Sequence, residues 1–90
     1  MIVKQTNTFK RRVKKMHSDE KHVLDNAIKA IMANPEIGVM KTGDLAGIQV
    51  YKYKHHSQQY LLAYQYIDEQ LLLTLLDQGT HENFYRDLKH

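Results

Sequence analysis

The sequence predicts an α+β fold: a small antiparallel β-sheet with two N-terminal helices packed on one face and a short C-terminal helix, in the order β-α-α-β-β-β-α. Three observations predict it. Apolar residues recur at helical spacing between residues 7 and 34. From Ile48 onward the pattern switches to strand-like runs with hairpin-length links. Ninety residues with 42% hydrophobic content are enough for one core and too few for two, so residues 1–90 read as a single domain.

The opening "MIVKQT" reads as a strand through β-branched Ile2 and Val3. In "NTFKRRVKKMH", Phe9, Val13 and Met16 fall on one helical face, with Asn7 or Thr8 as the N-cap. In "SDEKHVLDNAIKAIMANP", Ser18 is the expected cap, and Asp19 and Glu20 suit the positive end of the helix dipole. Leu24, Ala27, Ile28 and Ile31 form its buried stripe, and Asn34-Pro35 stops it. With almost no linker, the two helices are expected to pair antiparallel. Residues 35–47, with three glycines and the only proline, read as a loop. "IQVYKYKH", "YLLAYQY" and "LLLTLL" then form an antiparallel meander, joined by "HSQQ" and "DEQ".

Composition excludes several chemistries. There is no cysteine, hence no disulfide, thiolate nucleophile or Cys-ligated zinc. The apolar runs are too short to span a bilayer and no apolar signal region opens the chain, so a cytoplasmic protein with no membrane association is expected. The charge is uneven. Residues 1–17 hold six basic residues and no acid, whereas the remainder holds seven basic and ten acidic residues. Lys10, Arg11, Arg12, Lys14 and Lys15 cover one side of the first helix, which is either a solvated face or a docking surface for a polyanion or acidic protein.

Strand alternation sorts the remaining candidates. Tyr51 and Tyr53 point to one face of the sheet, and Val50, Lys52 and Lys54 to the other. Two aligned lysines are not core residues. Beyond the leucine-rich strand, "GTHENFYRDL" places His81 and Tyr85 four residues apart, one helical turn. Each of these side chains also has a purely structural role open to it: exposed sheet charge for the lysines, a helix-start contact for His81, docking of the last helix for Tyr85. A metal site from His55, His56 and His81 is set aside, because adjacent histidines are expected to diverge and no third ligand has suitable spacing. No metal or cofactor is expected.

The element order, with "VYKYK", "YLLAYQYIDEQ" and "GTHENFY", resembles the RelE/ParE superfamily of bacterial toxins, the toxic halves of type II toxin–antitoxin pairs. The likeness covers most of the chain and is strongest over residues 47–85. The "GTH" followed by an aromatic four positions after the histidine is similar to the RelE/YafQ-like members. The resemblance implies an endoribonuclease (mRNA interferase) that cuts messenger RNA in the ribosomal A site. It implies site roles for Lys52, Lys54, His81 and Tyr85, with His55 or His56 at the rim. It implies ribosome and RNA contacts through Lys10, Arg11, Arg12, Lys14 and Lys15. A cognate antitoxin, the ribosome and mRNA are the implied partners, with DNA reached only indirectly through the antitoxin. One departure stands out: RelE has an arginine where this chain has Leu61, so one phosphate clamp is missing or supplied elsewhere.

Metal-free cleavage by the 2′-hydroxyl needs a base, cations around the phosphorane-like transition state, and an acid for the departing 5′-oxygen. Imidazole titrates near ~6.5 and suits proton transfer at neutral pH. The lysines can neutralise phosphate, and one of a crowded pair can serve as base. Tyr85 can stack on a splayed base or bond the phosphate. Two other outcomes stay open: a ParE-like, non-enzymatic toxin inhibiting DNA gyrase, and an inactive, antitoxin-binding member.

Overall fold

The structure, a computed structural model, describes residues 1–80 together with Phe84 and Leu88. The chain forms β1 (Ile2–Gln5), α1 (Asn7–Lys14), α2 (Ser18–Ala33), β2 (Val39–Met40), β3 (Gln49–His55), β4 (Gln58–Ile67) and β5 (Leu72–Gly79). Single 3-10 turns lie at Gly43–Leu45 and Asp68–Gln70.

The α+β class and the β3-β4-β5 antiparallel meander are as the alternation predicts. The sheet is larger than predicted, and mixed. Its order is β1-β5-β4-β3-β2, with β1 parallel to β5 in the register Ile2 to Leu72 through Gln5 to Leu75. Running alongside β5 in the same direction brings Thr6 level with Leu76, and the Thr6 hydroxyl donates to the Leu76 carbonyl at 2.7 Å. The same hydroxyl accepts from the Phe9 N–H at 3.1 Å, which makes Thr6 the N-cap of α1 in place of Asn7 or Thr8. Likewise His17, in extended conformation, precedes α2, so Ser18 is its first helical residue and not its cap. Both shifts are one or two residues, the usual margin for a helix boundary.

Each helix packs chiefly on the sheet rather than on its neighbour: α1 against β5 and α2 against β3. Phe9, Leu24, Ala27 and Ile31 meet Leu62, Tyr64, Leu73 and Leu75 in the main core. The predicted α2 stripe is buried, with Ile28 packed at its margin. Val50, Leu61, Ala63 and Phe84 make a second, smaller core on the opposite face, flanked by Ile48, Leu76 and Leu88. Phe84 and Leu88 are helical, and the Phe84 N–H donates to the Thr80 carbonyl at 3.2 Å. The rest of the predicted C-terminal helix lies outside the described residues.

The predicted loop at 35–47 contains β2, which pairs with β3 through Val39 and Val50. The loop is held by a polar knot under it. The Tyr64 hydroxyl, fully buried, donates to the Pro35 carbonyl at 2.6 Å and accepts from the Gly38 N–H at 2.9 Å. Gln49 Nε2 lies within 3.2 Å of the same hydroxyl and of the Gly38 carbonyl. A Cβ on residue 38 would sit 2.7 Å from that hydroxyl, so only glycine lets the backbone approach. Burial raises the Tyr64 phenol pKa, partly offset by the Gly38 N–H.

Candidate functional site

Lys52 and Lys54 are both exposed on the face that carries the smaller core. Successive residues of one strand face are about 7 Å apart, close enough for both ammonium groups to reach one phosphate. Across the ladder Lys52 lies opposite Leu61, and Leu61 opposite Gly79. Lys52, Leu61 and Gly79 therefore form one row over three strands, spanning about 10 Å. Leu61, in the position where the family resemblance expects an arginine, is fully buried with Phe84 and contributes packing.

Thr80 follows this row, and Phe84 belongs to the cluster beneath the lysine face. His81 and Tyr85, the other two predicted catalytic residues, lie outside the described residues.

His55 is placed differently. By strand parity it shares the helix-covered face with Tyr51 and Tyr53, opposite the lysines, and it borders a small cleft with Met16, Glu20, Tyr53, Tyr60 and Gln78. Tyr53 and Tyr60 stack there with ring centres 5.7 Å apart, and Gln78 Nε2 donates to the Tyr53 hydroxyl at 2.8 Å. Burial, with the nearby Tyr60 and Glu20 adding to it, pushes the Tyr53 phenol up to about 12 despite that bond.

His56 follows in the two-residue turn between β3 and β4, and its φ is 53°. This left-handed conformation breaks the alternation of the strand. The two imidazoles therefore converge, with ring centres 4.2 Å apart, against the expectation that adjacent histidines diverge. Asp19 in the first turn of α2 meets them: its Oδ2 is 3.3 Å from His55 Nε2 and 3.9 Å from His56 Nε2. Desolvation works against the Asp19 carboxylate, but the backbone N–H groups of Asp19 and Glu20 and the His55 imidazole together outweigh it and lower its pKa. Asp19 was legible only as a helix-start charge, because what joins it to the hairpin is tertiary packing.

Lys10, Arg11 and Lys14 on α1, and Lys15 at its C-cap, are exposed. With Thr8, the side chains of Arg11, Arg12 and Lys15 line a surface depression of about 260 Å³ that suits an anion. Arg12 also braces the fold. Its Nε donates to Asp77 Oδ1 at 2.8 Å, and Asp77 is 3% exposed. This pair ties α1 to β5. The sequence held one signal for it, a carboxylate inside the apolar run "LLTLLDQ", because a buried charge needs a partner.

Among the described residues, no helix is long and apolar enough to cross a membrane. No curated protein sequence matches the chain. The fold is similar to that of E. coli RelE in the intact RelBE toxin–antitoxin complex, with TM-score 0.71, 23% identity, and coverage of 90% of this chain and 96% of that one. The isolated E. coli RelE toxin gives TM-score 0.68 and 22% identity, over 98% and 95% of the two chains. The RelBE2 toxin–antitoxin complex of Mycobacterium tuberculosis gives 0.68 and 22%, over 89% and 96%. A family model described as "ParE-like toxin of type II bacterial toxin-antitoxin system" matches residues 3–89. The chain belongs to this family of type II toxins, of RelE/ParE type.

Proposed function

We propose that this toxin is a ribosome-dependent mRNA endoribonuclease that inhibits translation. The observation that carries the reading is the row Lys52–Leu61–Gly79. Two aligned, exposed lysines stand about 10 Å from the point where the chain leaves β5. His81 follows Gly79 by two residues, which span at most about 7 Å. In the proposed reaction the 2′-oxygen attacks phosphorus and the bond to the 5′-oxygen breaks. The 2′-hydroxyl proton passes to a base and the 5′-oxygen takes a proton from an acid. The products are a cyclic phosphate and a free 5′-hydroxyl. Lys52 and Lys54 balance the charge that builds on the non-bridging oxygens. His81 and Tyr85 complete the set, through proton transfer and stacking or phosphate bonding.

Leu61 leaves this surface without one cation, so substrate placement has to come from elsewhere. Correct placement can contribute ~7–11 kcal/mol to a barrier. The ribosome supplies it by holding the message, with Lys10, Arg11, Arg12, Lys14 and Lys15 docking on ribosomal RNA. A cognate antitoxin silences the toxin. The fold likeness to toxins solved within toxin–antitoxin complexes supports this, as does a mainly apolar groove of about 500 Å³ beside α2, lined by Val3, Val13, Ile28 and Met32 and also by the charged Lys21 and Asp25.

The ParE-like description of the family favours a second reading, a toxin that inhibits gyrase without hydrolysis. One message incubated with purified protein, with and without programmed ribosomes, separates the two. Cleavage is expected only with ribosomes. It should weaken when Arg11, Lys14 and Lys15 are neutralised together, and binding should become less salt-sensitive. Equal cutting in both tubes rules out ribosome dependence. No cutting in either, together with loss of gyrase supercoiling, establishes the second reading.

A further inference from the structure

We propose that Asp19, His55 and His56 form a binding site for one Zn²⁺ ion, which staples the start of α2 to the β3–β4 hairpin. The donor set is the first argument. Imidazole nitrogen and carboxylate oxygen are ordinary zinc ligands, and three of them with a water complete a tetrahedron. The second argument is distance. Bonds of about 2.0–2.2 Å in a tetrahedron put ligand atoms roughly 3.3–3.6 Å apart. One ligand atom from each residue lies within 4.8 Å of the others, and the two histidine-to-carboxylate separations are 3.3 and 3.9 Å. Small side-chain rotations close the difference.

Third, the site is partly preorganised. The His55 side chain is only 14% exposed and held at the cleft beside Tyr53 and Tyr60, while the Asp19 and His56 side chains are 62% and 81% exposed. One ligand is thus fixed by packing and two face water, where an ion enters. The positive φ of His56 is what turns its ring toward His55. The site lies at the hairpin end on the helix side of the sheet, away from Lys52 and Lys54, and its role is to clamp two elements. Among first-row divalent ions such a site takes Cu²⁺ more tightly still and Co²⁺ less so, so Zn²⁺ is proposed on grounds of geometry and availability.

The test is isothermal titration of the full chain with ZnCl₂ in chelator-stripped buffer, paired with amide NMR spectra. One equivalent should bind, shifting amides of residues 17–22 and 54–58 and raising the thermal midpoint, with EDTA reversing both. His56→Asn keeps a residue that tolerates the left-handed turn while removing the imidazole. It should weaken binding by at least ~10-fold, as should Asp19→Asn. His22→Ala should leave binding unchanged. No saturable binding overturns the proposal. So does binding that survives both His56→Asn and Asp19→Asn, or shifts confined to the termini.

Discussion

The two faces of the sheet are built from the same strands to different ends. On the helix side, Leu62, Tyr64, Leu73 and Leu75 are covered by α1 and α2 and are at most 2% exposed. On the other side a four-residue cluster of Val50, Leu61, Ala63 and Phe84 leaves Lys52 and Lys54 in water. β3 contributes to both, with Tyr51 and Tyr53 packed against the main core and the lysines pointing away. Alternation lets one strand anchor the fold with one set of side chains and offer charge with the other, so substitutions on the two faces should be separable in effect.

Four experiments probe this division of labour. The largest effect is expected at the lysine face. Lys54→Ala, and separately Lys52→Ala, should slow cleavage of a translated message by ~100-fold or more while thermal unfolding is unchanged, as should His81→Ala. Primer extension with matched melting curves measures both. A fall in stability equal to the loss of activity would show that the lysines support the fold. Next, Leu62→Ala on the helix side should cost about 2–5 kcal/mol in urea denaturation, because it empties volume in the larger core.

A smaller loss, about 1–3 kcal/mol, is expected for Tyr64→Phe, which leaves the buried Gly38 N–H without its acceptor, while the Pro35 carbonyl keeps only the Gln49 amide as donor. The same denaturation curves measure it, and a neutral result would mean that water replaces the hydroxyl. The smallest effect concerns alkali. An unfolded tyrosine ionises near 10, whereas Tyr53 in the fold stays protonated to about 12. Stability contributed by neutral Tyr53 is therefore complete below pH 10 and lost as pH rises through that window. Tyr53→Phe should flatten the decline between pH 10 and 12.

Much of this arrangement can be read along the chain. The stripe Leu24, Ala27, Ile28 and Ile31 follows from helical period, and the shared face of Lys52 and Lys54 from strand period. The features that resist such reading depend on contacts distant in sequence. β2 is two residues long and sits in a glycine-rich stretch, held by Gln49 and Tyr64. The parallel β1–β5 pairing joins the two ends of the described chain, and the Thr6–Leu76 bond that accompanies it links residues 70 positions apart. The register shift in the β4–β5 ladder, where Ala63 pairs with Asp77 but Tyr64 with Leu75, leaves Leu76 as an extra residue that no alternation pattern announces. The convergence of His55, His56 and Asp19 depends on one backbone angle in a turn and on where α2 begins. His81 and Tyr85 stand one helical turn apart in the sequence, and their site roles rest on the family resemblance alone.

The sheet ends on both sides in short strands, four residues in β1 and two in β2. Lys4 and Gln5 are exposed polar residues on β1, but apolar side chains stand out on both edges too: Ile2, Val39 and Met40 are each more than half exposed. An outer row of backbone donors and acceptors beside such residues invites strand addition from another molecule. Brevity is the protection here, because an incoming chain gains only a few hydrogen bonds before the edge turns away into α1 or the 3-10 turn. Lengthening β2 through Lys41 and Thr42 with β-branched residues would remove that limit and turn a silent border into a seed for fibrous self-association.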